Sequence, residues 1–167
     1  MKKMFVLLLL VSAVETTFAQ DPTLTKAETI SYLNNKIKAV IGQKEPSCSS
    51  CSDKLLNAYI KEADGLIEIY YSQEMGSGRS WSCTYRFNPK YIDGITLMGS
   101  NATVRSINIF ISNNSGMKTT SDYSSFWKDK NMSFLFLDND PDNFKKIKKA
   151  FLYLKDLYKA EADPFGD

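Results

Sequence analysis

The chain has 167 residues, 43% of them hydrophobic and 13% aromatic, with 21 basic against 19 acidic side chains and a net charge of +2. That length makes one domain with a sizeable core, and the near-neutral balance excludes the overall basic field that gathers nucleic acid. There is no histidine, which removes the commonest general base, the commonest metal ligand and every Ser-His or Cys-His nucleophile pair.

In chain order, Lys2 and Lys3 precede an unbroken apolar run, Met4 to Val11, and a more polar stretch ending Thr17-Phe18-Ala19-Gln20. A basic n-region, a short apolar h-region and small residues before the cut are the parts of a secretory signal peptide, expected here over residues 1–19. The run is far shorter than the roughly 20 residues needed to span a bilayer. The domain expected after cleavage is then 20–167. Losing Lys2, Lys3 and Glu15 takes the net charge from +2 to +1. A secreted or periplasmic location follows. No later segment is apolar enough to cross a membrane.

Thr25-Lys26-Ala27-Glu28 has the capping-box pattern, and Ile30, Leu33, Ile37, Val40 and Ile41 recur at helical spacing before Gly42; a helix over about 25–41 is predicted. Residues 43–53 read as a polar linker. Residues 54–63 fit a helix template through Leu55, Leu56, Tyr59, Ile60 and Ala63, but Asp64-Gly65 before the strand-like Leu66–Tyr71 favours a hairpin. Gly76-Ser77-Gly78 turns into Ser80–Asn88, where Trp81, Cys83, Tyr85 and Phe87 share one face at period two. Asn88-Pro89 and Asp93-Gly94 are turn signals before a short Ile95–Met98 strand. Ile107, Ile109 and Ile111 line one face of Thr103–Ser112, Asn113–Gly116 turns, 117–125 is a weak edge strand, and Met132–Leu137, apolar on both faces, is a central one. Asp140, Pro141 and Asp142 open a last helix whose stripe is Phe144, Ile147, Phe151, Leu154 and Tyr158. The fold class is α+β: a helix, an antiparallel meander of five to seven strands, and a C-terminal amphipathic helix. The meander forms either a pleckstrin-homology-like barrel capped by the last helix or an open sheet packed on two helices, an analogy of fold that carries no function.

The Lys-Lys-apolar start ending Phe-Ala-Gln and the Thr-Lys-x-Glu-Thr helix opening resemble small uncharacterised exported proteins of Bacteroidetes. So do the closing Phe144-x-x-Ile147-x-x-Ala150-Phe151-x-x-Leu154-x-x-Leu157 and Asp163-Pro164-Phe165. The resemblance implies an envelope or secreted location and transfers no site residue.

Few side chains are left for chemistry. Cys48-Ser49-Ser50-Cys51 lacks the preceding strand of a thioredoxin-type motif, and a zinc site lacks ligands beyond Cys83. Cys48, Cys51 and Cys83 are therefore candidate disulfide cysteines, natural in an oxidising compartment, with one thiol left over. A bridge to Cys83 closing about 33 residues contributes ~3–4 kcal/mol in the chain-entropy treatment. Asp138-Asn139-Asp140-Pro141-Asp142 begins like a calcium loop, but Asn143 stands where the loop needs Gly and Lys149 where it needs Glu. Gly76-Ser77-Gly78-Arg79-Ser80 lacks the remaining parts of either a dinucleotide or a P-loop motif. No metal, cofactor or catalytic residue is assigned. Lys145, Lys148, Lys149, Lys155 and Lys159 form one arc of the last helix, a candidate surface for an anionic partner. The leading expectation is a non-enzymatic exported domain that binds an envelope component or a protein partner. The rival is an enzyme using carboxylates or tyrosines around Tyr70, Tyr71, Tyr85 and Asp93.

Overall fold

The structure, a computed structural model, describes residues 24–44, 54–98, 103–112, 115–121 and 126–163. The expected signal peptide, Cys48 and Cys51, and the Pro164-Phe165 tail lie outside the described residues. The order is α1 (Lys26–Lys38), β1 (Lys54–Ala63), β2 (Leu66–Glu74), β3 (Ser80–Phe87), a 3₁₀ turn (Pro89–Tyr91), β4 (Ile92–Met98), β5 (Val104–Ile111), β6 (Gly116–Thr120), β7 (Trp127–Asp129), β8 (Asn131–Leu137) and α2 (Asn143–Ala162). The class is α+β, with every ladder antiparallel.

The ladders form two sheets, β1-β2-β3-β6-β7 and β4-β5-β8, and the register shows how they are related. Arg86 faces Met117, and past the 3₁₀ turn Ile92 faces Ile111. On the other side Asp129 faces Gly116, and Asn131 faces Phe110. The strands β3 and β4 are thus one pass of chain, as are β5 with β6 and β7 with β8, each bent where the sheets meet. The eight strands amount to a meander of five passes, folded across its middle. Among the described residues no ladder closes this sheet into a barrel.

Local chemistry explains most of the elements. Thr25 caps α1: its Oγ1 accepts from the Glu28 amide at 3.2 Å, while its own N–H donates to the Glu28 carboxylate at 2.7 Å. The helix ends three residues earlier than its apolar pattern suggests. Gly42, at φ +86°, lets the chain turn back along β1, where its N–H donates to the Leu55 carbonyl and Leu55 N–H to Gln43. Ile41 consequently points out, 40% exposed, while Val40 is buried. Asn34 Oδ1 accepts the Ile60 amide at 3.1 Å, so α1 covers part of an edge that would otherwise invite pairing. Residues 54–63 are strand, and Asp64 and Gly65, both at positive φ (53° and 69°), close the hairpin in the type I′ manner that suits strand twist.

Three readings of the sequence are corrected. Asp93-Gly94 is not a turn but a bulge inside β4, where the register shifts between Ile92 and Gly94. β6 is not an edge strand: it lies between β3 and β7. β8 is not central: β5 is its ladder partner, at the end of the three-stranded sheet, and α1 and α2 supply much of its cover, with Phe134 edge-on to Phe151 at 5.2 Å. At the start of α2 the Asp140 carboxylate accepts the Asp142 amide at 2.9 Å, but helical bonding begins only at Asn143. Asn143 is 2% exposed. Its side-chain amide donates to the Leu137 carbonyl and to Asn139, and its Oδ1 accepts from Lys36, which pins the end of β8 between the helices.

One core results. The inner face of the meander contributes Ile60, Ile67, Ile69, Phe87, Ile107, Ile109, Met132, Phe134 and Phe136, and the helices add Leu33, Ile37, Ile147, Phe151 and Leu154, all at or below 2% exposure. No helix among the described residues is long and apolar enough to cross a membrane.

Candidate functional site

The lysines read from the sequence share one exposed face of α2. At 3.6 residues per turn, Lys145, Lys148, Lys149, Lys155 and Lys159 project within an arc of about 120°, along about 21 Å of helix. Buried Ile147, Phe151, Leu154 and Tyr158 occupy another side of the same helix. Lys145, Lys149 and Lys159 are exposed, Lys148 and Lys155 half-buried, and Leu152, 38% exposed, sits in the middle of the arc. Lys145 pairs at 3.5 Å with Asp142, and Lys148 lies over the Phe144 ring at 5.9 Å. Among the described residues, Lys148, Lys149, Lys155 and Lys159 form no ion pair. Other lysines are spent inside the fold: Lys26 holds both Glu62 (3.0 Å) and Glu161 (2.8 Å), and Lys146 holds Asp140 (2.7 Å). The α2 arc thus gathers four lysines without an ion pair among the described residues, with the exposed Asp156 as an acid on the same arc.

The aspartates of the calcium-like run are each paired with a basic side chain. Asp138 pairs with Arg105 at 3.1 Å, Asp140 with Lys146 and Asp142 with Lys145.

Strand alternation separates the four residues of the catalytic alternative. Tyr71 and Tyr85 meet on the inner face, hydroxyl to hydroxyl at 3.2 Å. Tyr70 points the opposite way and stacks on Tyr59 at 4.9 Å, within an outer network where the Glu68 carboxylate accepts from the Tyr59 hydroxyl and pairs with Lys61, and Arg86 donates to Asp64. Asp93 is exposed at the β4 bulge, in the other sheet.

Around Tyr71 and Tyr85 the inner face is polar. Cys83 lies opposite Tyr71, and Gln73 opposite Trp81, one step nearer the β2–β3 turn. Lys118 lies beside Tyr85, its ammonium 5.3 Å from the ring centre and 4.0 Å from the Asp129 carboxylate. Cys83 is a free thiol, 1% exposed. Burial pushes its pKa up, and hydrogen bonding to Tyr85 and the Lys118 charge only partly oppose this. Burial, and then the neighbouring Cys83, push Tyr85 well above the ordinary tyrosine range. At neutral pH both groups keep their protons, so this trio supplies hydrogen bonds and neither a thiolate nucleophile nor a phenolate base.

Gln73 was not marked by sequence reasoning. It is 6% exposed, and its Oε1 has no hydrogen-bond partner among the described residues. An acceptor left so costs about 1–3 kcal/mol.

Compared with protein families, curated proteins and solved structures, the chain matches none.

Proposed function

We propose that this is an exported, non-catalytic binding domain that contacts an anionic surface of the cell envelope through the exposed face of α2. The observation that carries the reading is the arc of five lysines, four of them without an ion pair among the described residues, on a helix whose other side is fixed in the core. Lysines near an anionic lipid surface contribute about 1 kcal/mol each. The four unpaired lysines, opposed by the exposed Asp156 on the same arc, give binding of about 3–4 kcal/mol, a dissociation constant in the millimolar range, which suits reversible contact. Because the charges are exposed, the contact weakens as added salt shortens the screening length below about 10 Å. The separation of Tyr70 and Asp93 from the Tyr71–Tyr85 pair, on the opposite face and in the other sheet, supports the non-catalytic part of the reading.

Export rests on the basic, apolar and small-residue segments of residues 1–19. In an oxidising compartment the buried free Cys83 leaves Cys48 and Cys51 as the disulfide pair. Intact mass of the exported protein tests both: the expected chain begins at Gln20 and carries one bridge and one thiol that alkylates after denaturation. A chain retaining residues 1–19, or three alkylated thiols, overturns this part.

The surface is tested by cosedimentation with phosphatidylglycerol-containing vesicles. The variant combining Lys148→Gln, Lys149→Gln and Lys155→Gln loses about 3 kcal/mol, or roughly 150-fold in affinity, with an unchanged melting temperature. Equal binding by the variant, or by neutral vesicles, removes the reading.

A further inference from the structure

The three-stranded sheet turns Ile95, Ile107 and Ile109 into the core, so the residues between them on each strand face outward. Cross-strand register sets Thr96, Asn108 and Ser133 in one outward row over β4, β5 and β8. On one side of that row Phe110 stands between Gly94 and Asn131; on the other, Ser106 stands between Met98 and Leu135. None of these side chains is charged. The flanking charges, Asp93 in the β4 bulge and Lys130 before Asn131, are of opposite sign, so the patch offers no net field to an ionic ligand.

The patch is open to solvent. Thr96 and Asn131 are exposed, Met98 is 49% and Phe110 37% exposed, and Ser106, Asn108 and Ser133 are half-buried; the Leu135 corner is buried. Phe110 rests against Gly94, where an added Cβ would lie 3.5 Å from its ring. An aromatic ring is thus propped beside a row of two hydroxyls and an amide. Three strands at about 4.8 Å and three rows at about 6.7 Å span roughly 14 by 20 Å, or about 280 Å². A specific protein interface buries about 800 Å² on each partner, so the patch is too small for one. A purely apolar ligand would cover the central row without answering its hydrogen bonds. A saturated ring with hydroxyls on its rim and an apolar C–H face satisfies both the row and Phe110.

We propose that this outer patch of β4, β5 and β8 binds a short stretch of neutral sugar units in a glycan. Thr96, Asn108 and Ser133 exchange hydrogen bonds with ring hydroxyls, and Phe110 lies against a C–H face. The α2 lysines play no part in it, so the site is independent of the lysine surface.

The test uses the full chain, isotopically labelled, titrated with cellotriose, chitotriose and methyl galactoside while the Asn108 side-chain amide and the Thr96 and Phe110 backbone amides are followed by NMR. Expected with at least one sugar are saturable, salt-independent shifts at all three groups, with a dissociation constant of about 1–10 mM, as suits an open face. In Asn108→Ala the affinity falls about fivefold, the worth of one or two hydrogen bonds, with an unchanged melting temperature. Thr96→Lys is the second variant: Thr96 is exposed on β4, which ends its sheet, and such strands tolerate lysine. It sets a charged side chain across the row and removes saturable binding with the fold intact. Absence of saturable shifts with all three sugars overturns the proposal. So does unchanged affinity in either variant, or tighter binding of glucuronate than of the neutral sugars. Shifts at these groups that grow with protein concentration alone also overturn it, since the patch would then join two copies of the chain.

Discussion

Gly116→Ala probes the bend that turns five chain passes into two sheets. Gly116 opens β6 directly opposite Asp129, the last residue of β7, where both passes change direction. A Cβ built there lies 2.6 Å from the Asp129 carbonyl oxygen and collides with the Met132 methyl. The methyl ends a flexible side chain but is fully buried, so it can move only by displacing core neighbours. The carbonyl belongs to the backbone. An ordinary carbon–oxygen contact is about 3.3 Å, so β6 and β7 must part by about 0.7 Å at the corner. Overpacking of this kind costs about 1–3 kcal/mol, which for a domain of this size lowers the melting temperature by roughly 3–10 °C. Thermal unfolding followed by circular dichroism, with urea midpoints and slopes alongside, reads the effect. A variant melting within about 1 °C of the parent would refute the close approach of the two bent passes, and with it the single folded meander.

Removal of the α1 cap is smaller in effect: Thr25→Ala loses the two bonds of the Thr25 hydroxyl to Glu28 while keeping the backbone N–H bond to its carboxylate, and destabilises by about 1 kcal/mol, measurable by urea unfolding. The Thr25 hydrogen bonds hold the Glu28 pKa below its ordinary 4.5, and the Lys146 and backbone bonds hold Asp140 below 3.8. Both groups therefore stabilise the fold above those values, and that contribution disappears as the pH falls through their folded pKa values, so an acid titration of the melting temperature should decline below about pH 4.5. At the alkaline end Tyr85 and Tyr158 have raised folded pKa values, chiefly through burial. Their contribution is complete below pH 10 and is lost above it, and phenolate absorbance from these two should appear together with unfolding. The Cys83 thiol, 1% exposed and with a raised pKa, should resist alkylation in the native protein and react fully in denaturant; fast native labelling would contradict its burial.

The parts of the fold written in local chemistry could be read directly. The capping box of α1, the Asp64-Gly65 hairpin and the α2 stripe each depend on residues within a few positions of one another. The misread parts depend on distant chain. Asp93-Gly94 has turn composition, and a bulge uses the same residues. The apolar faces of β8 suggested ladder neighbours on both sides, whereas much of that burial comes from helices arriving from both ends of the chain. The polarity of β6 made it look like an edge, but Lys118 and Thr120 are polar because they extend the polar floor beside Tyr85 and Cys83. β7 is three residues long, too short for alternation to register. The site divides the same way. The α2 lysines could be read because helical spacing alone collects them, and Trp81, Cys83 and Tyr85 because they alternate on one strand. Nothing marks Gln73 in the sequence; only its register with Trp81 and its burial single it out.

The central claim is that the protein meets an anionic surface with α2. Its most direct test is a backbone amide shift map of the labelled protein with lipid nanodiscs containing phosphatidylglycerol, at low and at raised salt. Broadening or shifts are expected to concentrate over Lys145–Lys159, including exposed Leu152, and to fade as salt is added. Perturbations centred on the sheet, salt-independent effects, or an unchanged spectrum would contradict it.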